Sequence, residues 1–83
     1  MKSMSNYIEL TKGVEKIVMK EFRVENPKPI AESLDDVYYY ILEHYTDGVK
    51  VFSDKLGYIE GKEFIDSQED DHGYTVESFL ARF

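Results

Sequence analysis

Apolar residues recur at helical spacing through the first quarter of the chain. Between Tyr7 and Arg23, the residues Tyr7, Leu10, Val14, Ile17, Val18 and Phe22 fall on one side of a helical wheel, while Lys12, Lys16, Lys20 and Arg23 line the other with Glu9. Asn6 stands where a helix cap is needed, and Glu9 three residues later completes a capping-box pattern. The spacing therefore predicts an amphipathic helix over Tyr7–Arg23. Gly13 costs such a helix about 1 kcal/mol relative to Ala, and the alternative is a break there with "YIEL" extended. The two prolines of "ENPKPI" end the element and enforce an extended connection.

A second helix is predicted from Leu34 to Asp47, with Ser33 as cap, Asp35 and Asp36 in the first turn, and Gly48 just past the end. Successive side chains on a helix diverge by roughly 100°, so the triplet Tyr38, Tyr39 and Tyr40 cannot share one face. The wheel groups Leu34, Val37, Tyr38, Ile41 and Tyr45 as the core side, flanked by Leu42 and His44. It turns Asp36, Tyr40, Glu43 and Asp47 outward as a ridge, with Tyr39 beside it.

From Val49 to Asp66 the pattern changes. "VKVF" alternates, and "LGYIEGKEFID" reads as two further strands about a turn at Glu60-Gly61-Lys62, giving a short antiparallel meander. The competing reading is two short helices, because Val49, Phe52 and Leu56 also keep helical spacing before Gly57. After the polar loop "DSQEDDHG", Thr75 caps a terminal helix with Val76, Phe79, Leu80 and Phe83 on its apolar face. The expected fold is thus α+β, a single compact domain over residues 1–83. It has two N-terminal amphipathic helices, a short β-meander and a C-terminal helix, with a small all-α bundle as the alternative.

Charge and composition narrow the function classes. Residues 1–28 hold six Lys or Arg against four Glu, a balance of +2; residues 29–83 hold four against thirteen Asp or Glu, a balance of −9. Such a surface repels nucleic acid and favours basic partners. The chain has no cysteine, so no disulfide or thiolate metal site supports it, which fits a reducing cytoplasm. It shows no leader-like apolar region and no run of about 18 apolar residues, so neither secretion nor membrane insertion is expected. Met4 is an alternative start to Met1.

Candidate chemistry is sparse. His44 and His72 are the two histidines, and a Ser–His–acid set drawn with Ser53 or Ser67 lacks a nucleophile-elbow context. The neighbouring carboxylates Asp35 and Asp36, or Asp70 and Asp71, diverge rather than face each other. "EDDH" at Glu69–His72 offers hard donors, but the EF-hand register fails. The stripe Lys12, Lys16, Lys20 and Arg23 comes without any nucleic-acid-binding pattern. No enzyme activity, cofactor or metal is expected.

The acidic side carries the remaining expectation. Tyr39 and Tyr40 supply rigid surface with a polar tip, and Asp36, Glu43 and Asp47 surround them with charge. Glu60, Glu63, Asp66, Glu69, Asp70 and Asp71 add a second acidic cluster in the next segment. Asp36, Tyr39, Tyr40, Glu43, Asp47, Glu69, Asp70 and Asp71 are the expected partner-binding residues. "DDHGYTVESFL" (residues 70–80) resembles the acidic-loop-then-helix tail of the small acidic immunity proteins that neutralise colicin-type nucleases. The paired-tyrosine helix of that family has no counterpart after Gly48, and no functional residues carry over; the resemblance implies an acidic surface that blocks a basic target. The expectation is a small non-enzymatic inhibitor or regulator of a basic protein, nucleic-acid-binding proteins included, with a phage or mobile-element accessory role suited to its size. The alternative is a structural module that self-associates into a homo-oligomer, basic helix one attracting acidic helix two between copies.

Overall fold

The computed structural model describes residues 5–25, 29–30 and 32–82, so Met4, Pro27 and Phe83 lie outside the described residues. The chain forms a five-stranded antiparallel sheet with one helix across it. Strands β1 (Ser5–Lys12) and β2 (Glu15–Arg23) make one hairpin, and β3 (Tyr38–Thr46) and β4 (Val49–Gly57) make another. Helix α1 (Tyr58–Asp70) then leads to β5 (Thr75–Ala81), and the strand order is β4-β3-β2-β1-β5. This replaces the expected α+β arrangement and its all-α alternative. Neither N-terminal helix forms, the terminal segment is a strand, and the helix lies where a meander was expected. The resemblance of residues 70–80 to an immunity-protein tail ends there, because Thr75–Ala81 is extended.

The turns explain why strands win. Lys12 pairs with Glu15 across Gly13-Val14, with Gly13 at φ 59, the positive value a II′-type turn needs at its first central position. Thr46 pairs with Val49 across Asp47-Gly48, at φ 50 and φ 80, the I′ pattern that matches strand twist. Asp47 thus sits in a hairpin turn and not on a helical ridge. Gly48→Ala is expected to cost ~1 kcal/mol from the left-handed backbone, read as a lower denaturation midpoint at unchanged slope.

Ser33 does cap, but only one 3₁₀ turn, Leu34–Asp36; its hydroxyl accepts from the Asp35 amide, and Asp36 accepts from the Ser33 amide at 3.3 Å. Tyr, Ile and Leu then follow in a run that fits a pleated surface better than a helix. Asp35 instead serves α1: its Oδ1 accepts from the Ile59 amide at 2.7 Å, capping a helix whose own N-cap, Gly57, has no side chain.

Helix α1 connects the two sheet edges. Thirteen residues span about 20 Å, and four inter-strand gaps span about 19 Å, so one helix crosses the whole sheet. Beneath it Ile8, Leu10, Ile17, Met19, Tyr40 and Leu42 form the core with Ile65, and Tyr58 and Phe64 pack against it. Tyr40 is fully buried, whereas the wheel placed it outside and Tyr38 in the core; Tyr38 is only half-buried.

Candidate functional site

Strand register divides the sheet into two unlike faces. The face under α1 carries the core. The opposite face has no covering layer among the described residues. It displays Tyr7 and Glu9 from β1, Lys16, Val18 and Lys20 from β2, and Tyr39, Ile41, Glu43 and Tyr45 from β3, the last four facing β2 or β4 partners of the same side. A groove of about 500 Å³ runs along it, lined by Tyr7, Lys16, Val18, Lys20, Glu43 and Tyr45. Its charges are largely matched internally. Lys16 pairs with Glu9 at 2.9 Å, and Glu43 is held by Lys20 at 3.2 Å and Lys50 at 3.5 Å. The Lys20 hydrogen bond first, and the charges of Lys20 and Lys50, keep the Glu43 carboxyl below its ordinary range. Val18, between Lys16 and Lys20 on this face, is only 3% exposed. Tyr39 is similarly occupied, stacked on Phe22 at 5.6 Å and capped by the Lys55 ammonium at 4.5 Å.

The expected partner-binding residues therefore do not converge. Tyr39 and Glu43 lie on the open sheet face, Tyr40 in the core, and Asp47 at a hairpin tip. Asp36 is engaged beside the 3₁₀ turn, and Glu69, Asp70 and Asp71 end α1. The period-two alternation of a strand breaks up the ridge that a 3.6-residue period would build.

Histidine chemistry is equally dispersed. His44 Nε2 lies 2.7 Å from Glu15 Oε2, which also accepts from the Thr46 hydroxyl at 2.8 Å; both hydrogen bonds lower the Glu15 carboxyl. His44 points to the helix side of β3, whereas Ser53 pairs with Glu43 on the open side, so the sheet separates them. Ser67 bonds instead to Asp71. His72 is exposed beside Asp71. Among the described residues no group of three or more His, Asp or Glu gathers to hold a metal ion, and no helix is long and apolar enough to cross a membrane.

The sequence marks Glu60, Glu63, Asp66 and Glu69–Asp71 as an acidic cluster, but not the helix face that arranges them with Ile59. Gly61 and Ile65 face the sheet, so a helical wheel turns Ile59, Glu63, Asp66 and Asp70 directly outward, with Glu60 and Glu69 on the flanks. All six are exposed, as is Asp71, and Lys62 is the single cation on the helix. The spacing of four, three and four from Ile59 to Asp70 is present in the sequence, but the strand reading of residues 56–66 hides it.

The molecule is thus a mainly-β protein, one antiparallel sheet backed by a single helix with an acidic outer ridge. It has no matching family model, no matching characterised protein and no matching solved structure.

Proposed function

We propose that the protein is a non-enzymatic, cytoplasmic interaction module that binds a basic protein partner through the outer ridge of α1. The reading keeps the class expected from charge and moves the surface. Its single carrying observation is the crowding of carboxylates at the C-terminal end of α1, with no basic residue in the last turn. The helix dipole places partial negative charge there, so each such carboxylate costs ~0.3–1 kcal/mol rather than stabilising the helix. Glu69 and Asp70 therefore cost the helix stability, and Asp71 offsets its own cost only through a 3.4 Å hydrogen bond from the Ser67 hydroxyl. A cationic partner would satisfy both the side chains and the exposed carbonyl end.

Glu9 and Glu43 on the open sheet face, by contrast, already pair with lysines. Exposed Ile59, at 44%, adds an apolar contact at the other end of the ridge. In this reading Asp70 and Asp71 steer and orient the partner, while Ile59 contributes desolvation.

The test is affinity capture from native lysate on immobilised protein with a salt-elution series, run beside the triple variant Glu63→Lys, Asp66→Lys, Asp70→Lys. A basic protein should elute from the parent as salt rises, and the folded variant should lose it by tenfold or more, about 1.4 kcal/mol. Equal retention by both proteins, or retention indifferent to salt, would overturn the proposal.

A further inference from the structure

The two edges of the sheet are unlike. An edge strand exposes unpaired amide and carbonyl groups, and proteins blunt such edges with charge or bulges. On β4 both devices are present: its register with β3 shifts between His44 and Tyr45, and Lys50, Asp54 and Lys55 interrupt it. On β5 neither is complete. Its seven residues pair with β1 without a shift from Ala81 opposite Ser5 to Thr75 opposite Thr11. Glu77 is its only charge, while Leu80 is 66% and Phe79 44% exposed.

We propose that β5 is a dimerisation edge, pairing antiparallel with β5 of a second copy about a two-fold axis at Ser78. The axis runs perpendicular to the sheet, so residues facing each other must share a face. That permits only registers in which a residue meets itself, and their contents discriminate among them. Centring on Glu77 sets two carboxylates opposite each other. Centring on Ser78 places Val76 opposite the second copy's Leu80 twice, on the helix side, and Glu77 opposite Phe79 on the other side. Extending the same register sets Arg82 opposite Tyr74 of the second copy. Tyr74 follows closely after Asp70 and Asp71, so the guanidinium arrives beside the acidic end of the other α1. Charge and apolar complementarity thus select one register and one occupant, a second copy of this chain.

The consequence is a doubled sheet with both α1 helices on one side. This differs from the basic-helix-to-acidic-helix dimer expected from sequence, which the absence of those helices removes. It uses the β5 edge rather than the outer ridge of α1 and meets that ridge only at Asp70 and Asp71, so the dimer and a basic partner would compete for those two carboxylates, while Ile59, Glu63 and Asp66 lie outside the dimer contact.

The chain has no native cysteine, so a single introduced thiol reports the axis. Ser78→Cys is a mild change at an exposed position, and its two copies would face each other at a Cβ separation of about 4.5–5.5 Å, which a small closure of the paired edges brings to the ~4 Å of a disulfide. The expected results are a parent whose sedimentation mass rises from one copy to two with concentration, rapid oxidative cross-linking of Ser78→Cys, and slow cross-linking of Ser53→Cys on β4. Leu80→Lys should weaken the dimer by tenfold or more while the monomer's circular dichroism is unchanged. A parent that stays monomeric at millimolar concentration overturns the proposal, including the case where the edge takes an extended peptide from another protein. A dimer that cross-links through Ser53→Cys and not Ser78→Cys overturns it as well.

Discussion

Gly61→Ala is expected to destabilise the protein, against the usual gain from replacing a helical glycine. Alanine favours a helix interior over glycine by about 1 kcal/mol. Here a methyl group at position 61 would fall well inside contact distance of Cδ2 of the Tyr40 ring, with Cε2 and Cγ also crowded. The ring has nowhere to retreat. It stacks on Tyr58 at 5.6 Å with an interplanar angle of 14°, and its hydroxyl donates to Glu21 at 3.3 Å. Overpacking of this kind costs about 1–3 kcal/mol, enough to outweigh the helix gain. Gly61→Val, which adds bulk and a β-branch, should lose about 3 kcal/mol or more by the same mechanism. Urea denaturation of both variants checks this. A Gly61→Ala protein as stable as the parent would mean that α1 does not rest on Tyr40.

The same glycine shows what was legible in the sequence and what was not. "EGK" reads as a turn because glycine is a frequent turn residue, yet here it serves close approach of a helix to an aromatic ring. Asp47-Gly48 between "YYYILEHYT" and "VKVF" was a hairpin signal in plain view, but Gly48 also suits the position after a helix end. Both periods share a spacing of four, so Leu10, Val14, Val18 and Phe22 satisfy a wheel, while Ile8 with Leu10 and Ile17 with Met19 satisfy a strand. The tertiary pairing of β2 with β3 decides between them. Sequence also could not show which face of β3 is covered. Tyr40 and Leu42 are no more apolar as a pair than Tyr39 and Ile41, and only the path of α1 distinguishes them. The acidity of Glu69–Asp71 was plain from composition; its position at the end of a helix, which gives it an energetic cost, was not.

The tyrosine triplet yields the second large effect. Tyr40→Ala removes a fully buried ring at the contact between α1 and β3, and large aromatic truncations cost about 3–5 kcal/mol. Tyr38→Ala and Tyr39→Ala should each cost about 1 kcal/mol, since both side chains are half-buried on the outside of the core. Tyr40→Phe separates the ring from its hydroxyl. Glu21, itself only 9% exposed, would keep the Asn6 amide at 2.9 Å but lose the Tyr40 donor, a loss of about 1–2 kcal/mol. The variant also changes the response to alkali. Burial, and then the nearby Glu21 charge, raise the Tyr40 hydroxyl above the ordinary tyrosine value. The unfolded chain releases that proton from about pH 10 upward, so it binds fewer protons than the folded chain and stability falls as pH rises. Stability of the parent should therefore be level with respect to this group below pH 10 and decline above it. Tyr40→Phe should start lower and decline less steeply between pH 10 and 12. Parallel declines in parent and variant would show that the buried hydroxyl is not what alkali attacks.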